Sequence, residues 1–369
     1  MDKVIIKQIK NLKKDIADVL DELNFTPKHN EIIIKPNVLA YLKSGSGFIT
    51  DVKIVRALVQ VLLDKYDIEK IYVAESSYIN ADTKKSFLIA GYYELEKEFE
   101  KVKLVDLKDE KYEKSTFKIN APVILKNKTL IDVPVLKGHP QVAITCAVKN
   151  LKGLITDEDK KNIHKWGLEE NLSLLDNFKP ELVLVDATTV RETFGKLFPR
   201  KYEFNRIIGG KDSVFVDKVA CDLVGLDITK ISYLNSLWKD RKDDGQVIGF
   251  SKPLAKWNPI FKVINIGKIG INITNSCSRC WDNCLEAIRP GHIKRQTNVI
   301  KDIWQVLSSF TLKGKVNLIA GGNKDLIGSK EGRIILCGDC AIRKLGIEGA
   351  KIKGCPVDPV EIRKAIYGK

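Results

Sequence analysis

Hydrophobic and polar positions along the chain fall into short continuous runs separated by stretches of helical spacing. Glu31–Ile34 reads as a buried strand, and Asp51–Lys65 then places Val52, Val55, Leu58, Val59, Leu62 and Leu63 on one helical face behind the cap-like pair Thr50 and Asp51. Ile71–Ala74 reads as the next strand, Thr83–Glu98 as a helix, and Val102–Leu107 and Leu130–Val133 as two further strands. Gln141–Leu151 and Leu168–Asn177 carry helical spacing, Leu182–Val185 and Arg206–Ile208 are short strands, and Ser213–Val224 is again helical. Strands alternating with helices in this way predict an α/β fold with a mostly parallel, doubly wound sheet.

A boundary is expected in the stretch Asp243–Pro259, which carries two acids, a glycine and then two prolines. Residues 1–250 therefore form the larger α/β domain, and residues 251–369 a smaller, Cys-rich α/β domain. The latter is expected to hold strands Ile269–Thr274, Lys315–Ala320 and Arg333–Leu336 and helices Asn298–Phe310 and Pro359–Ile366.

Composition narrows the class. A chain of 369 residues with 44% hydrophobic and 30% charged residues has enough apolar surface for two cores, which excludes disorder as the main state. No run reaches the roughly 18 apolar residues of a membrane span, and Met1–Lys10 alternates Lys with Val and Ile where a signal segment would be continuous. A cytoplasmic protein without a membrane partner is the expectation. The formal charge of +15 raises the question of nucleic acid, but Lys outnumbers Arg and is interleaved with 47 acids. No arginine stripe or basic run with aromatics stands out, so a solvated basic surface that attracts anions is the expected reading.

The cysteines change the picture more. Cys277, Cys280 and Cys284 form Cys-x2-Cys-x3-Cys after a predicted strand, Cys337 and Cys340 form Cys-x2-Cys after another, and Cys355 precedes Pro356. Thiolates so close repel unless a cation holds them, and a Cys one helical turn after a Cys-x2-Cys pair can reach the same centre. An all-thiolate set accepts zinc or an iron–sulfur cluster. The Cys-Pro ending and the nearby Trp281, Ile288, Ile334 and Leu336 favour a cluster, expected as 4Fe–4S, on Cys277, Cys280 and Cys284 with a fourth ligand from Cys337, Cys340 or Cys355. Two clusters with different ligation are the alternative, as is a zinc staple. Cys146 and Cys221 sit in apolar segments and read as core residues.

In parallel α/β sheets, ligands lie beyond the carboxyl ends of the strands. The residues leaving those ends are Lys35 and Asn37; Glu75, Ser76 and Ser77; Lys137 and His139; Asp186; and Gly209 and Gly210. Lys35, Lys137 and Lys149 suit a carboxylate or phosphate, His139 an acid or base, and Glu75 or Asp186 a partner that orients it. Gly209 and Gly210 ahead of Ser213 suit an anion at a helix N-terminus.

Five segments in order, IIIKPN (32–37), IDVPVLKGH (131–139), TCAVKNLKG (145–153), LVDA (184–187) and GGKDSVFVDKVACDLVG (209–225), resemble the family known as domain of unknown function DUF 362. The resemblance covers roughly residues 30–230. It implies an iron–sulfur protein of unassigned reaction, and it points to Lys35, Asn37, Lys137, His139, Lys149, Asn150, Asp186 and Asp217 as site positions. Where the family commonly has a glycine-rich stretch after the Asp186 strand, this chain reads Thr188, Thr189, Val190, Arg191 and Glu192. The resulting expectation is an oxidoreductase in which the α/β domain binds a small anion and the Cys-rich domain exchanges electrons with it and with a redox partner protein. An electron carrier or cluster-delivery protein without its own substrate, and a zinc-stabilised binding protein, are the rivals.

Overall fold

Three consecutive isoleucines, Ile32 to Ile34, can all be buried only in a strand covered on both faces, and all three are fully buried in the computed structural model. It describes residues 2–79, 81–139, 141–192, 200–241, 245–249, 252–257, 263–274, 276, 278–288, 307–322, 327 and 331–368. These form two units, Met1–Ile163 with Glu169–Pro259, and His164–Leu168 with Ile260–Lys369.

In the larger unit the strands are β1 (Lys3–Gln8), β2 (Glu31–Pro36), β3 (Lys70–Glu75), β4 (Val102–Asp106), β5 (Tyr112–Lys114), β6 (Asn120–Pro122), β7 (Thr129–Val133), β8 (Val135–His139), β9 (Ala143–Thr145), β10 (Leu182–Glu192), β11 (Arg200–Gly210) and β12 (Gln246–Ile248). The described residues build a ten-stranded sheet in the order β12-β1-β11-β10-β7-β2-β3-β4, with β8 and β9 extending it beside β10, while β5 and β6 pair separately. The run β10-β7-β2-β3-β4 is parallel, and β11 is antiparallel to both β10 and β1. Ile32, Ile34, Ile71, Val73, Ile131, Val133, Leu182 and Leu184 pack with helices Leu12–Glu22 and Val52–Lys65 in one apolar core. The alternation of a strand leaves Lys35 and Asp132 opposite that core, and they are register partners on neighbouring strands.

The helix Val52–Lys65 starts where its apolar face predicts, with Asp51 as N-cap accepting from the Lys53 amide. Thr83–Glu98 is two helices, Thr83–Ala90 and Tyr93–Glu98, because Gly91 ends the first in the left-handed region at φ 82°. Gln141–Leu151 departs furthest from expectation. Its first half folds back as β9, antiparallel to β8, and only Ala147–Asn150 is helical. Val142, Ala143 and Ile144 are all buried, and a continuous apolar run does not distinguish a buried strand from a helix. The division between the units falls at Pro259, within the expected stretch Asp243–Pro259, and Leu254 and Trp257 donate their amides to the Leu223 and Val224 carbonyls of the larger unit.

The smaller unit has a five-stranded sheet, β13 (Val263–Ile266), β14 (Ile269–Thr274), β15 (Val316–Gly321), β16 (Arg333–Cys337) and β17 (Ala350–Ile352), in sequence order. β14 to β17 are mutually parallel and β13 is antiparallel. Most of the expected helix Asn298–Phe310 lies outside the described residues. No described helix is long and apolar enough to cross a membrane.

Candidate functional site

Because β2, β3 and β7 are parallel, their carboxyl ends open on one edge. Pro36 ends β2 and Pro134 separates β7 from β8, since neither carries an amide for the ladder. The loop from Asn37 to Thr50 is closed by reciprocal bonds, the Thr50 amide donating to the Asn37 carbonyl and the Asn37 amide to the Thr50 hydroxyl oxygen, at 2.9 and 2.8 Å. The Thr50 hydroxyl then donates to the Val133 carbonyl at 2.7 Å.

Inside this frame lies a buried polar network. The Lys35 ammonium, fully buried, donates to Glu75 Oε2 at 2.9 Å and to the Pro36 carbonyl at 2.6 Å. Glu75 also accepts the amides of Val38 and Ser76, at 2.9 and 2.8 Å. Asn150, at the end of the short helix, accepts from Asn37 Nδ2 at 2.8 Å and donates to Asp132 Oδ1 at 2.7 Å. Lys137 donates to Asn37 Oδ1 at 2.9 Å and to the Phe48 carbonyl. Lys35, Asn37, Glu75, Lys137 and Asn150, all singled out from sequence, are thus one connected cluster.

Its charges are unbalanced. Lys35 is paired with Glu75, whereas Lys137 has only neutral oxygens as acceptors and Lys149 has no hydrogen-bond or ion-pair partner among the described residues. Burial pushes both amines down to about 7; nearby Glu75 partly counteracts this for Lys137, and the Lys137 charge adds to it for Lys149. Asp132 does not balance them. Burial drives its carboxyl well above the ordinary range, against the opposing pull of Lys35 and Asn150, and its Oδ2 has no hydrogen-bond partner among the described residues. Two amines without a carboxylate partner among the described residues therefore lie at this polar edge.

The other predicted residues are placed differently. Asp186 is buried and accepts the Asp51 amide at 2.8 Å and the Thr188 amide at 3.0 Å, so it anchors the far end of the Asn37–Thr50 loop. Asp217 accepts the amides of Ala147 and Val148 at 2.6 and 3.1 Å, capping the helix that carries Lys149 and Asn150. Burial pushes its carboxyl up to about 7. His139 Nδ1 accepts from the Gln141 and Val142 amides at 3.2 and 3.4 Å, which puts the proton of the neutral ring on Nε2. Ser76 gives its carbonyl and hydroxyl to Lys160, which also binds the Ser77 carbonyl.

Gly209 and Gly210 do not join this edge, which corrects the expectation. β11 runs antiparallel, so they pair with Leu184 and Val183 at the amino end of β10. A Cβ on either would collide with Val19 or Val216, so they are glycines for close packing. Sequence reasoning missed Asp132, Lys160 and Gly153. Asp132 was legible as a charged residue between Ile131 and Val133, whereas Lys160 sits in a polar run and carried no such signal. Gly153 was not legible either, because only the fold shows that a Cβ there would lie 2.5 Å from Lys35 Cε and also collide with Glu75 Oε1.

In the smaller unit the parallel register places the carboxyl ends of β14, β16 and β17 on one edge; Cys337 closes β16, and in the sequence the other five clustered cysteines follow these strands. Cys277 lies outside the described residues. The helix Ser278–Ile288 buries Cys280 and Cys284, and Cys280 Sγ lies 3.2 Å from where a Cβ on Gly338 would be, between Cys337 and Cys340. Gly338 has φ 92° and ψ 161°, a conformation open to glycine. Its amide donates to the Ile352 carbonyl at 2.9 Å, and the Asp339 amide to the Gly354 carbonyl at 3.1 Å, which fastens the segment before the exposed Cys355. Cys280, the turn at Gly338 and the segment at Gly354 therefore lie close together. The buried Cys337 donates as a thiol to the Ile335 carbonyl at 3.6 Å. No group of three or more His, Cys, Asp or Glu side chains among the described residues is arranged to hold a metal ion. The donor chemistry, with Cys280 and Cys284 on the helix Ser278–Ile288, Cys340 on the helix Asp339–Lys344 and Cys355 in the segment after β17, is that of soft ligands.

A family model described as Domain of unknown function (DUF362) matches residues 32–222, which contain the whole lysine cluster. No curated protein matches the chain.

Proposed function

Since the chain belongs to the family described as Domain of unknown function (DUF362), which carries no reaction with its name, we propose a function from the residues themselves. The larger unit binds a small carboxylate or phosphate at its strand edge, and the smaller unit holds an iron–sulfur cluster, of 4Fe–4S type, for redox chemistry on that ligand. The observation that supports the first half is that Lys137 and Lys149 face no carboxylate partner among the described residues while Lys35 beside them has one.

In this reading Lys137 and Lys149 receive the anion, and Asn37 orients Lys137 by accepting its hydrogen bond. Lys35 and Glu75 keep the floor rigid, and the half-buried His139, on the same face of β8 as Lys137, is available to move a proton through Nε2. The support for the second half is that Cys280 Sγ lies 3.2 Å from where a Cβ on Gly338 would be, beside the Gly354 carbonyl, so that segments bearing Cys280, Cys337, Cys340 and Cys355 lie near one another. Cys277, Cys280 and Cys284 with one of Cys337, Cys340 or Cys355 would hold the cluster, which supplies one-electron transfer when bound.

Two measurements test the reading. Protein purified without oxygen is analysed for iron, sulfide and zinc, and its visible spectrum is taken before and after dithionite. Iron and sulfide with a bleachable band support the cluster; stoichiometric zinc in a colourless protein overturns it and makes the cysteines a structural staple. Calorimetric titration with sulfate, in wild type and Lys137→Met, tests the anion site, which falls if sulfate binds neither or both equally.

A further inference from the structure

The same edge carries a second chemical possibility, which rests on the anion-binding reading just given. The two unmatched amines are not equivalent. Lys137 has two acceptor oxygens, Asn37 Oδ1 and the Phe48 carbonyl, that stabilise an ammonium. Lys149 has none among the described residues, and it remains half-buried at the surface of the site. Two cations near one another share the cost of ionisation unequally, and the proton stays where hydrogen bonds hold it.

The fold keeps these amines at fixed stations. Lys137 is the cross-strand partner of Thr145, from which the chain turns through Cys146 into the helix bearing Lys149. Asn37 ties the two sides together, accepting from Lys137 and donating to Asn150, the residue next to Lys149. The helix itself is held by Asp217 on the amides of Ala147 and Val148. A lysine whose ammonium is disfavoured by burial and by a neighbouring cation is a better nucleophile near neutral pH.

We propose that Lys149 is a nucleophilic amine that condenses with the carbonyl carbon of a small keto or aldehyde acid, whose carboxylate Lys137 receives. In the step, Lys149 Nζ forms a bond to the carbonyl carbon, and the carbon–oxygen double bond opens to a carbinolamine. The oxygen then leaves as water with the two amine protons, giving an imine and consuming no oxidant or reductant. The imine draws electrons from the adjoining carbon, which eases proton loss or carbon–carbon cleavage there. Burial of both amines and the push of Lys137 on Lys149 agree with this division of labour, since each is brought down to about 7.

The test is reductive trapping on the full chain, with glyoxylate as the probe and cyanoborohydride as the reductant, followed by peptide mapping. The expected result is an adduct at Lys149 that forms well ahead of adducts at exposed lysines, since at pH 7 its neutral fraction is about 1,000-fold larger than theirs. With propanal, which has no carboxylate, the preference for Lys149 should shrink. Lys149→Arg, checked for folding by circular dichroism, should lose the fast adduct. Adducts spread evenly over the surface lysines overturn the proposal, and equal preference with propanal overturns the role of Lys137. Sulfate titrated into the same sample separates the two readings. Sulfate binding without a Lys149 adduct removes the imine and leaves the anion site, whereas neither binding nor adduct removes both.

Discussion

Replacing Gly153 by Ala strikes the centre of the buried network without removing a polar group. Gly153 has no left-handed backbone to protect, so space alone decides the outcome. The new methyl would sit 2.5 Å from Lys35 Cε and 2.7 Å from Lys35 Nζ, and would collide with Glu75 Oε1. Neither side chain is a free surface end, for Lys35 is fully buried and Glu75 is held by the Val38 and Ser76 amides. Overpacking of this kind costs about 1–3 kcal/mol, and full loss of the Lys35–Glu75 pair would bring the cost to about 3–5 kcal/mol. A destabilisation of about 3 kcal/mol is expected, or a fall in Tm of about 6–12 °C for a unit of this size. Scanning calorimetry reads it, with Gly314→Ala as a control because nothing lies within 4 Å of its Cβ position. A Gly153→Ala protein within about 0.5 kcal/mol of wild type would refute the claim that the pair is rigidly packed. So would strict additivity with Glu75→Asp, which shortens the clashing side chain.

Lys35→Met leaves Glu75 buried without its cation and should cost about 3–5 kcal/mol in urea unfolding, far more than Lys84→Met at an exposed pair. Sulfate affinity should fall by about tenfold between pH 6 and pH 8 for each lysine that must take up a proton, since the amines titrate at about 7; a flat profile in titration calorimetry would remove these lysines from the site. Asp217 titrates at about 7 in the folded chain against an ordinary 3.8, so the folded state holds the proton in that window and its contribution to stability declines as pH rises from about 4 to about 7. Urea midpoints of Asp217→Asn should therefore lose that decline relative to wild type. Cys280→Ser should lower the iron content of protein purified without oxygen, whereas Cys221→Ser, in the apolar core of the larger unit, should leave it unchanged.

Much of the molecule was readable along the chain. Periodicity located β2, β3, β7, the helix Val52–Lys65 and the parallel core, because strands buried on both faces and a one-sided helix leave local signatures. The strand-end rule then picked out Lys35, Asn37, Glu75 and Lys137 before any contact was known. The rule failed at Gly209 and Gly210 because strand direction has no signature in a six-residue window; antiparallel pairing of β11 with β10 sends them to the opposite edge. The segment after His139 was ambiguous for a related reason, since β9 and a helix start present the same apolar run.

Sequence alone therefore determined which residues are costly to bury, lysines and cysteines set among apolar neighbours, and hence where chemistry belongs. Only the tertiary structure decided their states. Pairing with Glu75 holds Lys35 in the network, Lys137 and Lys149 have no carboxylate partner among the described residues, and burial raises the Asp132 carboxyl well above the ordinary range. The physical reason is that the cost of a buried charge depends on its partners a few ångströms away, and those partners are supplied by strands and loops far apart in the chain.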